Sequence, residues 1–201
     1  MNSLPPSFSN FNYTFVFQWI LLIVILFFFY YAARKIKAEK SSFLEEAEHL
    51  SFKKLSLPIP FWWSQIKVVE QNTLKFQRSD TKYDWSCTIK EVAVKTTVLS
   101  YADHYLKENE IVLDNSYDSY EKTVRADYLF KNESTFEGVE DFIRYEATGT
   151  KNETDRIYLD LVCFRISGDK NIYHMESTSS ILNGCVEGPF FEESLKNLII
   201  S

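Results

Sequence analysis

An α+β sandwich carried behind one membrane-spanning helix is the fold predicted for this 201-residue chain. Three observations lead there. Phe15 to Ala33 is a run of nineteen residues without a charge. All fifty charged side chains, 22 basic and 28 acidic, lie after it. Beyond residue 64 the apolar period changes from helical to mostly alternating, with helical stretches between.

The uncharged run comes first. An α-helix rises about 1.5 Å per residue, so nineteen residues span ~28 Å, close to the ~30 Å hydrocarbon core of a bilayer. Phe15, Trp19, Phe27, Phe28, Phe29, Tyr30 and Tyr31 make the segment apolar on every face, as a lipid-facing helix requires. Trp19 near one end and Tyr30 and Tyr31 at the other suit the interfacial aromatic belts. A cleaved signal peptide fits less well. Residues 1–14 carry no charge, and bulky Tyr31 stands just before the only small-residue exit. Residues 1–14, with Pro5-Pro6, read as a disordered tail. Arg34, Lys35, Lys37 and Lys40 form a basic collar suited to lipid headgroups. Such a collar predicts a single-pass protein with its large domain on the inside, cytoplasmic face. An extracytoplasmic domain is the alternative.

Residues 34–54 contain no Gly or Pro, and Ile36, Phe43, Ala47 and Leu50 fall near helical spacing. They predict a juxtamembrane helical stalk. Leu57-Pro58-Ile59-Pro60 would end it, since proline lacks an N–H and biases its predecessor toward extended geometry. Phe61, Trp62 and Trp63 follow. Together with Phe43, Ala47 and Leu50 they are the candidate interaction surface. A core position for this cluster and a place at the membrane surface are the competing readings.

Residues 55–201 form the soluble domain, long enough for one well-packed core. It holds sixteen basic and twenty-four acidic residues, a net of −8. That balance argues against nucleic acid, whose phosphates need Lys and Arg. Gln65–Glu70, Thr73–Arg78 and the alternation Trp85, Cys87, Ile89 read as strands. Thr97–Glu108 reads as a helix, with Val98, Leu99, Ala102, Tyr105 and Leu106 on one face. Ile111–Leu113 and Val124–Phe130 read as short strands, and Glu140–Gly149 is strand or helix. Arg156–Ser167 alternates strongly, Ser167-Gly168-Asp169-Lys170 turns, and Asn171–Thr178 returns. Asn183-Gly184 and Gly188-Pro189 then break the chain before a closing helix over Phe190–Ile200.

This order of elements resembles the PsbP-like α/β/α sandwich over residues 57–200. The residues that carry the resemblance are Pro60-Phe61-Trp62, Ile143 to Gly149, Tyr173 to Ser177, and Phe190 to Leu195. It implies a mostly non-catalytic module that serves as an accessory or assembly part of a larger complex.

Chemistry is sparsely signalled. There is no nucleotide-binding glycine loop and no C-x-x-C. Asp103-His104 are adjacent, so their side chains diverge on a helix. Cys163 with His174 across the last hairpin is a conceivable nucleophile pair. Gly184-Cys185-Val186-Glu187-Gly188 has the outline of a nucleophile elbow but reads as the turn into the last helix. No cofactor, metal or catalytic residue is expected. Cys87, Cys163 and Cys185 are either free thiols in a reducing compartment or include one Cys87–Cys163 bridge in an oxidising one. Three glycosylation sequons, at Asn12, Asn132 and Asn152, are about what chance supplies. Glu137, Glu140, Asp141, Glu146, Glu153 and Asp155 make a solvated acidic face or a surface for a basic partner. The expected function is a membrane-anchored accessory subunit whose partners are the bilayer and other subunits of a membrane complex. The alternative is a tethered ligand-binding or sensor domain outside the cell interior.

Overall fold

The computed structural model describes residues 13–66, 70, 72–78, 84–114, 129–131 and 133–200. The chain divides into two units, residues 1–42 and 43–201. With no Gly or Pro from 13 to 46, one helix, α1 (Tyr13–Glu46), runs unbroken. Within it Val16–Lys35 is long and apolar enough to cross a membrane and is 0% buried. The expected tail up to residue 12 lies outside the described residues.

The second unit departs at once from the expected stalk. The helix stops at Glu46, and β1 (Glu48–Phe52) pairs antiparallel with β2 (Leu55–Ile59). Period two explains why. Leu50 and Phe52 from β1 turn toward the same core as Leu55, Leu57 and Ile59 from β2. Lys53, at φ 56°, makes the tight return. Pro58 therefore does not end a helix but sits inside β2. The short β10 (Ile199–Ile200) pairs only with Leu55 and Ser56, so Pro58 lies on an edge that β10 does not reach.

The main sheet has seven strands in the order β3-β4-β5-β9-β8-β7-β6, every neighbour antiparallel. They are β3 (Trp63–Ile66), β4 (Thr73–Arg78), β5 (Ser86–Ala93), β6 (Ile111–Leu113), β7 (Val139–Lys151), β8 (Asp155–Ile166) and β9 (Asn171–Ser179). The helices are α2 (Val98–Glu108), the short α3 (Glu133–Glu137) and α4 (Ile181–Lys196). The domain is thus α+β with antiparallel sheets. The ambiguous segment at 140–149 is part of the long β7. The strand expected from Gln65 starts at Trp63. Of Val124–Phe130, residues 124–128 lie outside the described residues, while Leu129 and Phe130 are buried.

Alternation on β8 gives the sheet two cores. Ile157, Leu159, Leu161 and Cys163 meet Val98, Tyr101 and Ala102 of α2. Val162, Phe164 and Ile166 share the other core with Phe191 and Leu195 of α4, Leu55, Leu57, Trp85 and Tyr173. Each large apolar side chain sealed in this way contributes about 1.5–3 kcal/mol. Cys87 belongs to the second core and Cys163 to the first, so they stand on opposite faces of the sheet and all three cysteines are free. The bridge considered between them is not formed.

The last helix is the largest correction. It begins at Ile181, nine residues before the expected start, and runs through Gly184, Gly188 and Pro189. The glycines do not break it; they let it approach β8. A Cβ on Gly184 would lie 2.4 Å from Cγ of Tyr158, and one on Gly188 3.4 Å from the same ring. The helix ends at Lys196, and Ile199–Ile200 are strand rather than helix.

Candidate functional site

Three clusters of polar and aromatic side chains lie around this frame. The first joins several residues singled out in the sequence. Phe43 is buried, with its ring 6.4 Å from Trp62 and 5.7 Å from Phe190. Trp62 lies 5.0 Å from both Phe61 and Phe190. Behind them Glu187 of α4 is 1% exposed. It accepts from the indole N–H of Trp63 at 3.0 Å, from that of Trp62 at 3.4 Å, and from the Arg78 guanidinium. A buried carboxylate needs such donors to offset its lost hydration. Trp63 then continues inward, 4.5 Å from Trp85.

Six residues were grouped as a candidate interaction surface, and the structure sorts them. Phe43 and Trp63 are buried and belong to the fold. Ala47, Leu50 and Trp62 are half-buried. Phe61 is 62% exposed and is the one that faces solvent. Of the anchor residues, Trp19, Phe27, Phe28, Phe29, Tyr30 and Tyr31 are exposed along α1, as are Arg34, Lys35 and Lys37 of the collar. Phe15 and Lys40 also lie on α1.

The second cluster sits under α2. Hairpin register places Cys163 of β8 directly opposite His174 of β9. The Cys163 thiol is 3.8 Å from His174 Nδ1, and the Tyr101 hydroxyl is 3.2 Å from the same nitrogen. His174 Nε2 lies 3.7 Å from Glu176, beyond hydrogen-bond range. Among the described residues neither of those two atoms has a hydrogen-bond partner. Lys90 stands 4.5 Å from the centre of the Tyr105 ring on the same face. A ring that accepts from Tyr101 at Nδ1 carries its proton on Nε2, toward Glu176.

This is the order of groups a thiol nucleophile uses, but the environment opposes that chemistry. Cys163 and His174 are both fully buried. Burial, then the nearby Glu176 charge, pushes the thiol far above its ordinary value. Burial likewise depresses His174, against the pull of Glu176, so the ring is neutral. A protonated thiol beside a neutral imidazole is a weak nucleophile without access to substrate. The cluster is a buried polar group packed between β8, β9 and α2.

The third cluster is an ion pair under α4. Arg144 of β7 donates twice to Asp160 of β8, at 2.9 Å from Nε and 2.7 Å from Nη2. Both residues are essentially buried. Burial raises Asp160 to about 6 despite the guanidinium, which leaves it ionised at neutral pH. Glu146 and Glu192 also approach Arg144, at 2.9 and 3.5 Å. Sequence reading missed this pair. Its signal was Asp160 inside the apolar run Leu159 to Phe164, and Arg144 between Ile143 and Tyr145.

The carboxylates noted at 137–155 are not one surface. Asp141 accepts from the Val98 N–H at the start of α2, at 3.0 Å. Glu146 accepts from the Tyr158 hydroxyl at 2.6 Å. Glu137, Glu140, Glu153 and Asp155 are exposed. Asn152 is exposed at the β7–β8 turn, with φ 51°. Asn12 and Asn132 lie outside the described residues. An open cleft lined by Lys95, Thr97, Glu140, Arg165, Asp169 and Lys170 carries mixed charge. Among the described residues no group of three or more His, Cys, Asp or Glu side chains could hold a metal ion.

No family description matches the chain, and no curated protein matches it. It is similar to several solved structures. A chain from Bacteroides thetaiotaomicron is 14% identical, with a TM-score of 0.42 over 74% of this chain and 45% of its own. The present chain therefore spans less than half the length of that protein. A Pseudomonas aeruginosa protein of unknown function is 12% identical, with a TM-score of 0.46 over 77% of this chain and 97% of its own. The Saccharomyces cerevisiae Ran-binding protein Mog1p is 7% identical, with a TM-score of 0.41 over 77% and 95%.

Proposed function

We propose that this protein is a single-pass, membrane-anchored, non-enzymatic accessory or assembly subunit that docks on other subunits of a membrane complex through its α+β domain. One observation carries the reading. An apolar helix exposed along its whole membrane-length segment shares a chain with a domain whose convergent Cys, His and carboxylate groups are turned inward. The first is an anchor by length and composition. The second offers faces for docking rather than an accessible pair of nucleophile and base. The basic collar from Arg34 to Lys40 supports a domain on the inside face. The element order, with α2 and α4 on opposite faces of an antiparallel sheet, supports the PsbP-like reading of the domain.

Purification of the tagged full chain in mild detergent tests this proposal. A stoichiometric partner that stays through gel filtration is the expected result, and a lone monomer would overturn it. The second reading is a sensor domain outside the cell interior. It draws on the exposed Asn152 sequon at a hairpin tip. Intact-mass measurement distinguishes the two: added glycan lost in Asn152→Gln supports the sensor placement, and the bare chain mass supports the inside placement.

A further inference from the structure

The first half of α4 is built inside out. Gly184, Glu187 and Gly188 face the sheet and are buried. Leu182 is 80% exposed and Val186 50%, and Cys185 and Pro189 are exposed with them. These positions are three and four residues apart, so they make one stripe. Val186 and Pro189 lead to Phe190, whose ring touches Trp62, which touches the exposed Phe61. The stripe carries no charge, because the one ionisable carboxylate in this stretch, Glu187, is turned inward. A contiguous apolar patch of this kind on a soluble domain marks a contact site.

We propose that this face, Leu182, Cys185, Val186 and Pro189 with Phe61, rests on the surface of the lipid bilayer. The inference deepens the membrane-anchored reading and rests on it. Chain length points to the occupant. Phe43 packs on Phe190 at the end of the stripe and lies only eight residues beyond Lys35, the last residue of the candidate span. Even fully extended, eight residues reach only ~28 Å. If the span is in the bilayer, the stripe is held beside a surface of effectively high local concentration. Its chemistry suits that surface: aliphatic side chains over successive turns, with Phe and Trp at one end where interfacial aromatics sit. The α2 face is then turned away from the bilayer.

Cys185 supplies the probe, since Cys87 and Cys163 are buried. The full chain would be labelled there with bimane and reconstituted into phosphatidylcholine vesicles, with and without bromine on the acyl chains. Brominated lipid is expected to quench the label and shift its emission to the blue. Bimane at Leu99→Cys on α2, in a Cys185→Ser background, should be unaffected. Val186→Asp should reduce the quenching at Cys185. Equal behaviour at both positions, in vesicles that keep the chain through an alkaline carbonate wash, would overturn the inference and leave the anchored reading standing. Release of the chain by carbonate would overturn both. Efficient Cys185–Cys185 cross-linking of the unlabelled chain would replace lipid by a second copy and also overturn the inference.

Discussion

Helices α2 and α4 cover opposite faces of one sheet and do so by opposite rules. In α2 the inward residues Val98, Tyr101 and Ala102 are buried, and its exposed Leu99 stands without an exposed apolar neighbour three or four residues away. In α4 the inward set mixes Phe191 and Leu195 with Gly184, Glu187, Gly188, Glu193 and Ser194, while Leu182 and Val186 point out. A helix that only closed a core would not be arranged as α4 is. Its buried charges have to be matched one by one, and its exposed apolar residues add nothing to folding. Both faces bury an apolar core, but the α4 face adds buried charges that need specific partners and has a surface left for contact.

The largest test of that contrast is the ion pair under α4. Asp160→Ala takes away the bidentate partner of Arg144 and leaves it only Glu146 and Glu192, and should cost up to about 3–5 kcal/mol. Tyr101→Phe, which removes one neutral hydrogen bond under α2, should cost about 1 kcal/mol. Thermal or urea unfolding of the full chain in detergent reads both. Replacing the pair together, as Arg144→Met with Asp160→Leu, should recover most of the loss. Recovery would show that the charges are matched to each other rather than to the helix. Next in size is Gly184→Ala. Its new Cβ meets the Tyr158 ring at 2.4 Å, and overpacking of this kind costs about 1–3 kcal/mol. Tyr158→Ala in the same chain should return part of it. Additive losses would mean that Gly184 is not there for close approach.

The same contrast explains what could be read in advance. Helix α2 was legible to within a residue, because its apolar spacing alone marks it. The long hairpin of β8 and β9 was legible for the same reason, and its turn at 167–170 is enough to set Cys163 opposite His174. Helix α4 was not legible before Phe190, because glycines and proline on a helix look the same in sequence as a loop. Only the Tyr158 ring facing Gly184 and Gly188 explains them. The β1–β2 hairpin was hidden for a related reason. Phe43, Ala47 and Leu50 keep helical spacing while Leu50, Phe52, Leu55 and Leu57 serve a strand pattern, and the core decides between the two. The Glu187 hub joins residues more than a hundred positions apart, so no local pattern announces it.

A pH series sharpens the α2 side. His174 faces Cys163 from β8, Lys90 from β5, Tyr101 and Tyr105 from α2, and Glu176 on its own strand. Burial lowers its pKa below the ordinary 6.5. The unfolded chain therefore binds the proton first as pH falls. The His174 contribution is fully present above pH 6.5 and is lost as pH falls toward the folded value, by at most about 1.4 kcal/mol per pH unit. Asp160 slopes the other way. Raised to about 6 from 3.8, it loses stability as pH rises between those values. The two are separated by comparing the chain with His174→Gln, which keeps Asp160. Below pH 6.5 the variant should lose less stability than the parent chain as pH falls, leaving the opposite Asp160 slope, and an unchanged profile would remove His174 from the account. Smaller again is the difference in caps. Thr97 accepts from the Ser100 N–H at 3.2 Å at the start of α2, whereas Ser180 makes no side-chain cap bond on α4. Thr97→Ala should cost about 1 kcal/mol, and Ser180→Ala clearly less.

The smallest expected effect is the most informative about α4. Leu182 is 80% exposed, so it has little apolar area to lose on substitution. Surface changes of this kind usually stay within about 0.5 kcal/mol. Leu182→Asp should therefore leave the unfolding midpoint of the full chain in detergent almost unmoved. The position is also next to the start of the helix, where a carboxylate is mildly favoured by the N-terminal partial charge. A midpoint that rises slightly or stays level means that the apolar face of α4 is dispensable for folding and is kept for something it touches. A drop comparable to that of Asp160→Ala would mean the opposite: Leu182 would be part of a folded core, α4 would follow the same rule as α2, and the contrast between the two helices would fail.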